Sequence, residues 1–184
     1  MENLTQLPPN LVAPHDDGQA SHLLAMHLPS LQLLSTDNLQ IDLSKIPGKL
    51  IVYVYPMTGR PDMALPDGWD AIPGARGCTP QSCSFRDHYS ELLALNTKVF
   101  GLSVQATEYQ LEAKQRLHLP FELLSDSSLQ LKATLGLPTF EVADMELYKR
   151  ITLIVQDSVI VKVFYPVFPP DRNADDVLSW LKSH

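Results

Sequence analysis

Positive charge is scarce in this chain of 184 residues, which has 14 lysine and arginine residues against 21 aspartate and glutamate residues and a net charge of −7. Because nucleic acids and anionic membranes attract basic surfaces, this balance excludes both as expected partners. Long apolar runs are also missing. Those present, such as residues 50–55, fall far short of the roughly 18 apolar residues that a membrane span needs.

Lysine and arginine are absent before Lys45, and cysteine is limited to Cys78 and Cys83. A signal peptide needs a basic first region and a transit peptide is rich in arginine, so we expect neither, and we expect a cytoplasmic location. Two cysteines are too few for a framework of several disulfides. In a reducing compartment, so close a pair indicates redox chemistry or metal binding rather than a structural disulfide.

The pattern of apolar residues predicts one domain that follows an extension. Prolines and an Asp-Asp-Gly turn interrupt residues 1–30, which we predict to be an N-terminal extension with room only for a short helix at residues 22–28. Residues 31–184 are predicted to form the domain. Strand patterns at 31–34, 39–43, 50–55, 99–104, 121–124, 151–155 and 159–164 alternate with helix patterns at 80–95, 107–117, 127–135 and 174–182. This order predicts an α/β fold whose central sheet, flanked by helices, is made mixed by a hairpin at residues 156–158.

A long loop rich in glycine and proline follows the apolar strand at residues 50–55 and ends at Cys78. A loop of this length inside a domain usually has a function or is disordered. At its end, Thr79 is predicted to cap a helix and Pro80 to be the first helical residue. Trp69, in the middle of the loop, is expected to anchor it to the core rather than to cover the site as a lid.

The helix start gives Cys78 its chemical interest. Free N–H groups and the helix dipole stabilise an anion at this position, which favours the nucleophilic thiolate; the alternative is a small buried apolar side chain. Five residues further along the helix, Cys83 would lie on the far side and about 7.5 Å along the axis. A disulfide therefore requires the first turn to unwind, and otherwise Cys83 is a core residue. A metal site made by both cysteines and His88 is disfavoured because these ligands would not converge.

Residues 77–87 read Gly-Cys-Thr-Pro-Gln-Ser-Cys-Ser-Phe-Arg-Asp and come after a strand that ends in Tyr-Pro. This segment resembles the active-site segment of peroxiredoxins, the alkyl hydroperoxide reductase and thiol-specific antioxidant superfamily. It matches every fixed position of the Gly-Cys-Thr-x-x-x-Cys-x-x-Arg-Asp pattern of the Q-type, or bacterioferritin-comigratory, subgroup. Residues 150–154, Arg-Ile-Thr-Leu-Ile, are similar to a second strand of that family. The resemblance covers residues 31–184 and implies a thioredoxin-like fold.

The resemblance also implies an activity. It makes Cys78 the peroxidatic cysteine, Cys83 the cysteine that resolves it through an intramolecular disulfide, and Arg150 the side chain that holds the thiolate and the peroxide. The alternative for Arg150 is a charge at a strand end that reaches solvent. The implied substrates are hydrogen peroxide and small organic hydroperoxides, and the implied reductant is thioredoxin or a similar dithiol donor. Neither a metal nor an organic cofactor is expected, and the chain is expected to be a monomer or a dimer.

One position departs from the family pattern. Peroxiredoxins carry a threonine or serine three residues before the peroxidatic cysteine, whereas this chain has Ala75 there. Thr58 supplies the one hydroxyl in the preceding loop, so it is the candidate substrate-binding residue; the alternative is a residue that simply forms a turn. A second hypothesis is therefore a thioredoxin-fold redox sensor or binding protein that uses the Cys78 and Cys83 pair as a switch and turns over little peroxide.

Overall fold

Residues 4–184, which the computed structural model describes, fold around a mixed sheet of seven strands. The strands of the chain are β1 (Leu33–Ser35), β2 (Gln40–Ile41), β3 (Lys49–Val54), β4 (Thr97–Ser103), β5 (Glu122–Ser125), β6 (Thr139–Val142), β7 (Met145–Tyr148), β8 (Ile151–Gln156) and β9 (Val159–Phe164). The α-helices are α1 (Cys78–Asp87), α2 (Tyr89–Ala94), α3 (Thr107–Leu117), α4 (Gln130–Leu135) and α5 (Asn173–Ser183). The α/β class and the mixed sheet agree with the sequence prediction.

Strand β3 lies at the centre of the sheet, whose order is β2-β1-β5-β4-β3-β8-β9. It pairs in parallel with β4 and antiparallel with β8, and all of its residues after Lys49 are buried. A strand that is covered on both faces reads as a continuous apolar run, which is why residues 50–55 identified it in the sequence. Strands β6 and β7 form a separate two-stranded hairpin.

The two faces of the sheet carry different layers. Side chains of β3 alternate between them, because successive residues of a strand point to opposite faces. Leu50, Val52 and Val54 join a core that contains buried residues of α4 and of the segment 20–28. Ile51, Tyr53 and Tyr55 join the other core, which contains Cys78, Phe85 and the apolar side of α5. The second face is therefore the one that positions Cys78.

The prediction of a short helix at residues 22–28 is wrong, because the structure has only turns and an isolated β-bridge there. The backbone of this segment forms a turn, in which the Met26 N–H donates to the Leu23 carbonyl, and it also bonds to β9: the Ala25 N–H donates to the Ile160 carbonyl, and the Ile160 N–H donates to the Met26 carbonyl. Ala25 also has a φ of 69°, which no right-handed helix allows. Leu23 and Leu28 are buried in the first core, so this part of the predicted extension packs onto the domain. The domain boundary at residue 30 stays a prediction.

The helix that carries Cys78 begins earlier than predicted and is divided in two. Its N-cap is Gly77, not Thr79, and the Gln81 N–H donates to the Gly77 carbonyl, so the first helical residue is Cys78 and not Pro80. His88, with φ −96° and ψ 6°, separates α1 from α2 within the single helix predicted from residue 80 to residue 95. The longest helices within residues 4–184 have 11 residues, whereas spanning a bilayer takes about 20.

Candidate active site

Cys78 is the first residue of α1 and its side chain is only 3% exposed. The backbone reaches this position through Gly77, whose φ of 105° lies in the left-handed region. A Cβ atom on Gly77 would lie 2.3 Å from Cγ of Pro170 and 2.8 Å from Cδ2 of Leu7. Glycine is therefore required both by the conformation and by the close approach of two side chains. The prediction that Cys78 stands at a helix start is confirmed.

Arg150 lies directly before β8 and reaches the sulfur of Cys78. Its Nη2 donates to Sγ of Cys78 at 3.2 Å and to the carbonyl oxygens of Gly74, Ala75 and Arg76 at 3.1–3.2 Å. Like Cys78, Arg150 is 3% exposed. A guanidinium is always charged and donates in a fixed planar fork, so it can stabilise negative charge at the sulfur while it holds the preceding loop in place.

Behind Arg150 lies a buried polar network that the sequence analysis missed. Gln81 accepts a hydrogen bond from Nη1 of Arg150 through Oε1 and donates from Nε2 to Oδ1 of Asn173 at 2.9 Å. Thr152 donates to the same Oδ1 at 2.7 Å. Gln81 follows Cys78 by three residues, so a polar residue on the buried side of α1 was an available signal. For Asn173, 92 residues away from Gln81, the sequence offered none.

Cys83 is half-buried and lies on another side of α1 from Cys78. Both thiols are free, and the intact helix separates their positions by about 7.5 Å along its axis. Burial raises the pKa of the Cys83 thiol above its ordinary value, and the nearby Arg86 offsets only part of that effect. Cys83 faces an open groove of about 590 Å³, which it lines together with residues such as Pro80, Ser84 and Leu7.

Thr58, the candidate substrate-binding residue, is fully buried and bonds to Gln105. Its N–H and its hydroxyl both donate to Oε1 of Gln105, at 2.9 and 3.1 Å, and its carbonyl accepts from Nε2 of Gln105 at 3.2 Å. No hydrogen bond joins Thr58 to Cys78 or Arg150 within the described part of the chain. The structure therefore brings Cys78 and Arg150 together and leaves the hydroxyl of Thr58 engaged elsewhere.

A cavity of about 330 Å³ adjoins Arg150. Its wall is largely apolar, with Ile72 and Pro73 from the loop before Cys78, Phe140 from β6 and Tyr165 from the segment after β9. Arg150 also lines this cavity, and its fully buried Nε atom has no hydrogen-bond partner within the described residues. The cavity also has charged and polar side chains at its wall, namely His15, Asp17 and Lys149 beside Arg150. A largely apolar cavity with a few polar groups can take a small molecule that has both an apolar part and a hydrogen-bond acceptor.

Trp69 anchors the long loop that contributes Ile72 and Pro73 to the wall of this cavity. It is buried, and its ring lies 6.3 Å from that of Phe140, so the loop is anchored on the β6–β7 hairpin. The predicted anchoring role is thus confirmed, although its partner is a hairpin that the sequence analysis did not identify.

The structure combines a mixed sheet, a thiol at the start of a helix and an arginine that donates a hydrogen bond to the sulfur of that thiol. These features define a thioredoxin-like protein of the thiol-dependent redox class. The sequence model of the redoxin family matches residues 23–178, and the chain belongs to that family. Relatives include peroxiredoxin Q of Suaeda salsa, a chloroplastic protein, which is 29% identical over 157 residues. The peroxiredoxin Bcp of Escherichia coli is 27% identical over 160 residues.

The two alignments take in nearly the same share of this chain but different shares of the two relatives. The match to the Suaeda salsa protein takes in 84% of this chain and 65% of that one, so the chain spans about two thirds of its length. The match to the Escherichia coli protein takes in 85% and 93%. The crystal structure of peroxidoxin BcpB from Mycobacterium tuberculosis superposes with a TM-score of 0.71 at 21% identity, over 87% of this chain and 96% of that one. The predicted thioredoxin-like peroxiredoxin fold and the resemblance to the Q-type subgroup are confirmed.

Proposed function

We propose that this protein is a thiol peroxidase that reduces hydroperoxides through Cys78. The observation that carries the proposal is the 3.2 Å contact between Nη2 of Arg150 and Sγ of Cys78, at the first turn of a buried helix. The thiolate is the nucleophilic form of cysteine, and both the helix start and the guanidinium favour negative charge at the sulfur.

In the first step, the thiolate of Cys78 attacks the terminal oxygen of the hydroperoxide. An S–O bond forms while the O–O bond breaks, and the remaining oxygen leaves as water or an alcohol after it takes up a proton. The sulfur is oxidised to sulfenic acid and the peroxide is reduced. Arg150 holds the sulfur and the oxygens during this step, since its donors already point to that position.

In the second step, the thiol of Cys83 attacks the sulfenic sulfur of Cys78. Water leaves and a disulfide forms, and a thioredoxin-like dithiol donor then returns both cysteines to thiols by exchange and is itself oxidised. Because Cys83 lies on another side of α1, the first turn of the helix unwinds before the two sulfurs bond.

The cavity beside Arg150 supports organic hydroperoxides as substrates in addition to hydrogen peroxide. Its volume of about 330 Å³ is far larger than the space of one water-sized molecule, and apolar side chains such as Phe140 line it. Thr58 stays a predicted substrate contact. Its hydroxyl would have to leave Gln105 to take that role, so a Thr58→Val variant with unchanged turnover would remove it from the site.

The decisive experiment follows peroxide consumption with thioredoxin, its reductase and NADPH. Wild-type protein is expected to turn over, Cys78→Ser to lose all turnover because a serine hydroxyl is a poor nucleophile, and Cys83→Ser to be oxidised once and then stall. Ser90→Ala, which changes an exposed residue of α2 outside the groove, is the matched control. Normal turnover by Cys83→Ser would show that another thiol resolves Cys78.

A redox sensor is the second candidate, and one observation favours it. Position 75 offers no hydroxyl to the site, and the hydroxyl of Thr58 bonds to Gln105. A sensor would form the disulfide between Cys78 and Cys83 but consume peroxide no faster than a free thiol. The steady-state rate in the same thioredoxin assay separates the two functions.

A cytoplasmic location stays a prediction, because the relatives include both a chloroplastic plant protein and a bacterial one. The absence of a metal or organic cofactor and the choice between monomer and dimer are predictions too. Metal analysis and sedimentation of the purified protein test them directly.

A further inference from the structure

Residues 4–19, named here the N-terminal strap, contain neither helix nor strand but lie against the loop that leads to Cys78. Three of its side chains lie over glycines of that region. A Cβ on Gly77 would lie 2.8 Å from Leu7, one on Gly59 would lie 3.0 Å from Leu4, and one on Gly74 would lie 3.4 Å from Pro14. The strap therefore follows the active-site loop over most of its length.

The far end of the strap is fastened beside Arg150. Asp17 receives a hydrogen bond from Nζ of Lys149 at 2.6 Å and another from the hydroxyl of Tyr165 at 2.7 Å. Lys149 also contacts Gln19 at 3.4 Å. These contacts join the strap to Lys149, the residue that precedes Arg150. At the other end of the strap, the apolar side chain of Leu7 packs against Gly77 at the start of α1.

The near end of the strap lies in the same groove as the second cysteine. Thr5, Gln6 and Leu7 line the same groove as Cys83 and Pro80. Cys83 lines this groove and is half-buried, whereas Cys78 is buried, so a dithiol donor that attacks the sulfur of Cys83 enters through the groove. Leu7 thus lies both on the N-cap of α1 and at the edge of the groove.

We propose that the strap is a clasp on the first turn of α1, which slows disulfide formation and is displaced when the disulfide forms. The inference rests on the proposed function, because unwinding is needed only if Cys83 resolves Cys78. Bonding of the two sulfurs moves the backbone near Gly77, and Leu7 packs against that glycine, so the two movements are coupled. Displacement removes Leu7 from the edge of the groove and so widens the access of the donor to Cys83, while the docked strap prolongs the life of the sulfenic acid at Cys78.

The redox balance is that of the proposed reaction. Sulfenic acid at Cys78 and the thiol of Cys83 give one disulfide and one water, with the hydroperoxide as the oxidant of the preceding step. The strap takes part in no bond. The contact of Leu7 with Gly77 adds a conformational cost to the second step. Leu7 does not line the cavity beside Arg150, so its replacement is expected to leave the first oxidation of Cys78 unchanged.

A single-turnover experiment tests the clasp with Leu7→Ser and, as a control on the same segment, Val12→Ser, whose side chain is 54% exposed. Reduced protein is mixed with one equivalent of peroxide, quenched with acid, and separated by intact mass into thiol, sulfenic acid and disulfide. Leu7→Ser is expected to speed the conversion of sulfenic acid to disulfide by about fivefold, which corresponds to the lost burial of about half a leucine side chain. Val12→Ser and the first oxidation are expected to be unchanged.

Hydrogen exchange of the reduced protein provides a readout that does not depend on peroxide chemistry. In Leu7→Ser the amides from Gly77 to Ser82 are expected to exchange faster, with those beyond Tyr89 unchanged, and iodoacetamide is expected to react faster with Cys83. Asp17→Asn, which weakens the other end of the strap, is expected to act in the same direction.

The possible outcomes distinguish a failure of the proposed peroxidase function from a failure of the clasp. Wild-type protein that forms neither sulfenic acid nor disulfide would overturn the proposed function. In another outcome the disulfide forms normally, and Leu7→Ser and Val12→Ser have the same rate of disulfide formation, the same hydrogen exchange and the same rate of Cys83 alkylation. That outcome would overturn the clasp and leave the proposed peroxidase function intact.

Discussion

Arg150 does more than supply a charge, because one of its nitrogen atoms bonds to the sulfur and to three successive carbonyl groups. Lysine at this position keeps the charge but loses the planar fork. Arg150→Lys is therefore expected to slow the oxidation of Cys78 by about 100-fold, the usual loss on removal of one preorganised donor. Stopped-flow oxidation with hydrogen peroxide measures it.

The control for that variant is Arg60→Lys, which alters a surface ion pair with Asp62 and is expected to react like wild type. Equal rates for Arg150→Lys and wild type would mean that charge alone activates the thiol. Circular dichroism of both variants verifies that they are folded.

Cys83 provides a pH-dependent prediction. Because burial raises its pKa above the ordinary 9.0, the thiol stays protonated at neutral pH and the thiolate appears later than in an unfolded chain. In Cys78→Ser, the rate of alkylation of Cys83 is expected to be low at neutral pH and to keep rising beyond pH 9.0.

The same protein in urea serves as the reference, since its unfolded chain has a thiol with the ordinary pKa. A plateau of alkylation at lower pH in the folded protein than in urea would contradict the assignment. The linked effect on stability has a definite sign: as pH rises past the ordinary value, the unfolded state loses its proton first, so the folded state is destabilised there.

Among the elements, the loop before Cys78 depends on Trp69 for its place on the β6–β7 hairpin. Trp69→Ala is expected to lower the free energy of unfolding by about 3–5 kcal/mol, as is typical for loss of a buried aromatic ring. Urea unfolding followed by circular dichroism measures it. Met63→Ala, in the same loop but 54% exposed, is the control, and equal effects of both changes would mean that the loop is not anchored through Trp69.

The elements also show what local sequence can predict. Strand β3 was predictable because burial on both faces demands a continuous apolar run. The β6–β7 hairpin was missed because Ala143 and Asp144 turn the chain with φ values of 47° and 61°, without the Asn-Gly pair that marks such turns. The helix expected at residues 22–28 failed because bonds to β9, remote in sequence, outweighed local propensity.

The candidate site likewise has features that the local sequence predicts and features that depend on remote parts of the chain. The position of Cys78 at a helix start and its contact with Arg150 were predictable, because a continuous motif and a strand pattern mark these two residues. The roles of Cys78, Cys83 and Arg150 stay predictions. The bonds of Gln81 to Asn173 and the docking of the N-terminal strap were not predictable, since they depend on how remote segments meet in three dimensions.

At the scale of the whole molecule, the segment before β1 is part of the core. Leu23 is fully buried, whereas its neighbour Leu24 is 58% exposed. Leu23→Ala is expected to destabilise the protein by about 2–5 kcal/mol. Leu24→Ala is expected to stay within about 0.5 kcal/mol of wild type. Thermal unfolding compares them, and a harmless Leu23→Ala would support a domain that begins near residue 30.

The 72 residues that separate Cys78 from Arg150 have a consequence for biosynthesis. A chain that has left the ribosome only as far as α3 already exposes its thiol but has neither the arginine nor Asn173. Chains are made from the N-terminus at about 5–20 residues per second, so several seconds pass before the reactive pair can assemble. If the proposed function holds, the cysteine reacts as an ordinary thiol during that interval, and its reaction with peroxide becomes fast only after Arg150 and Asn173 have folded against it.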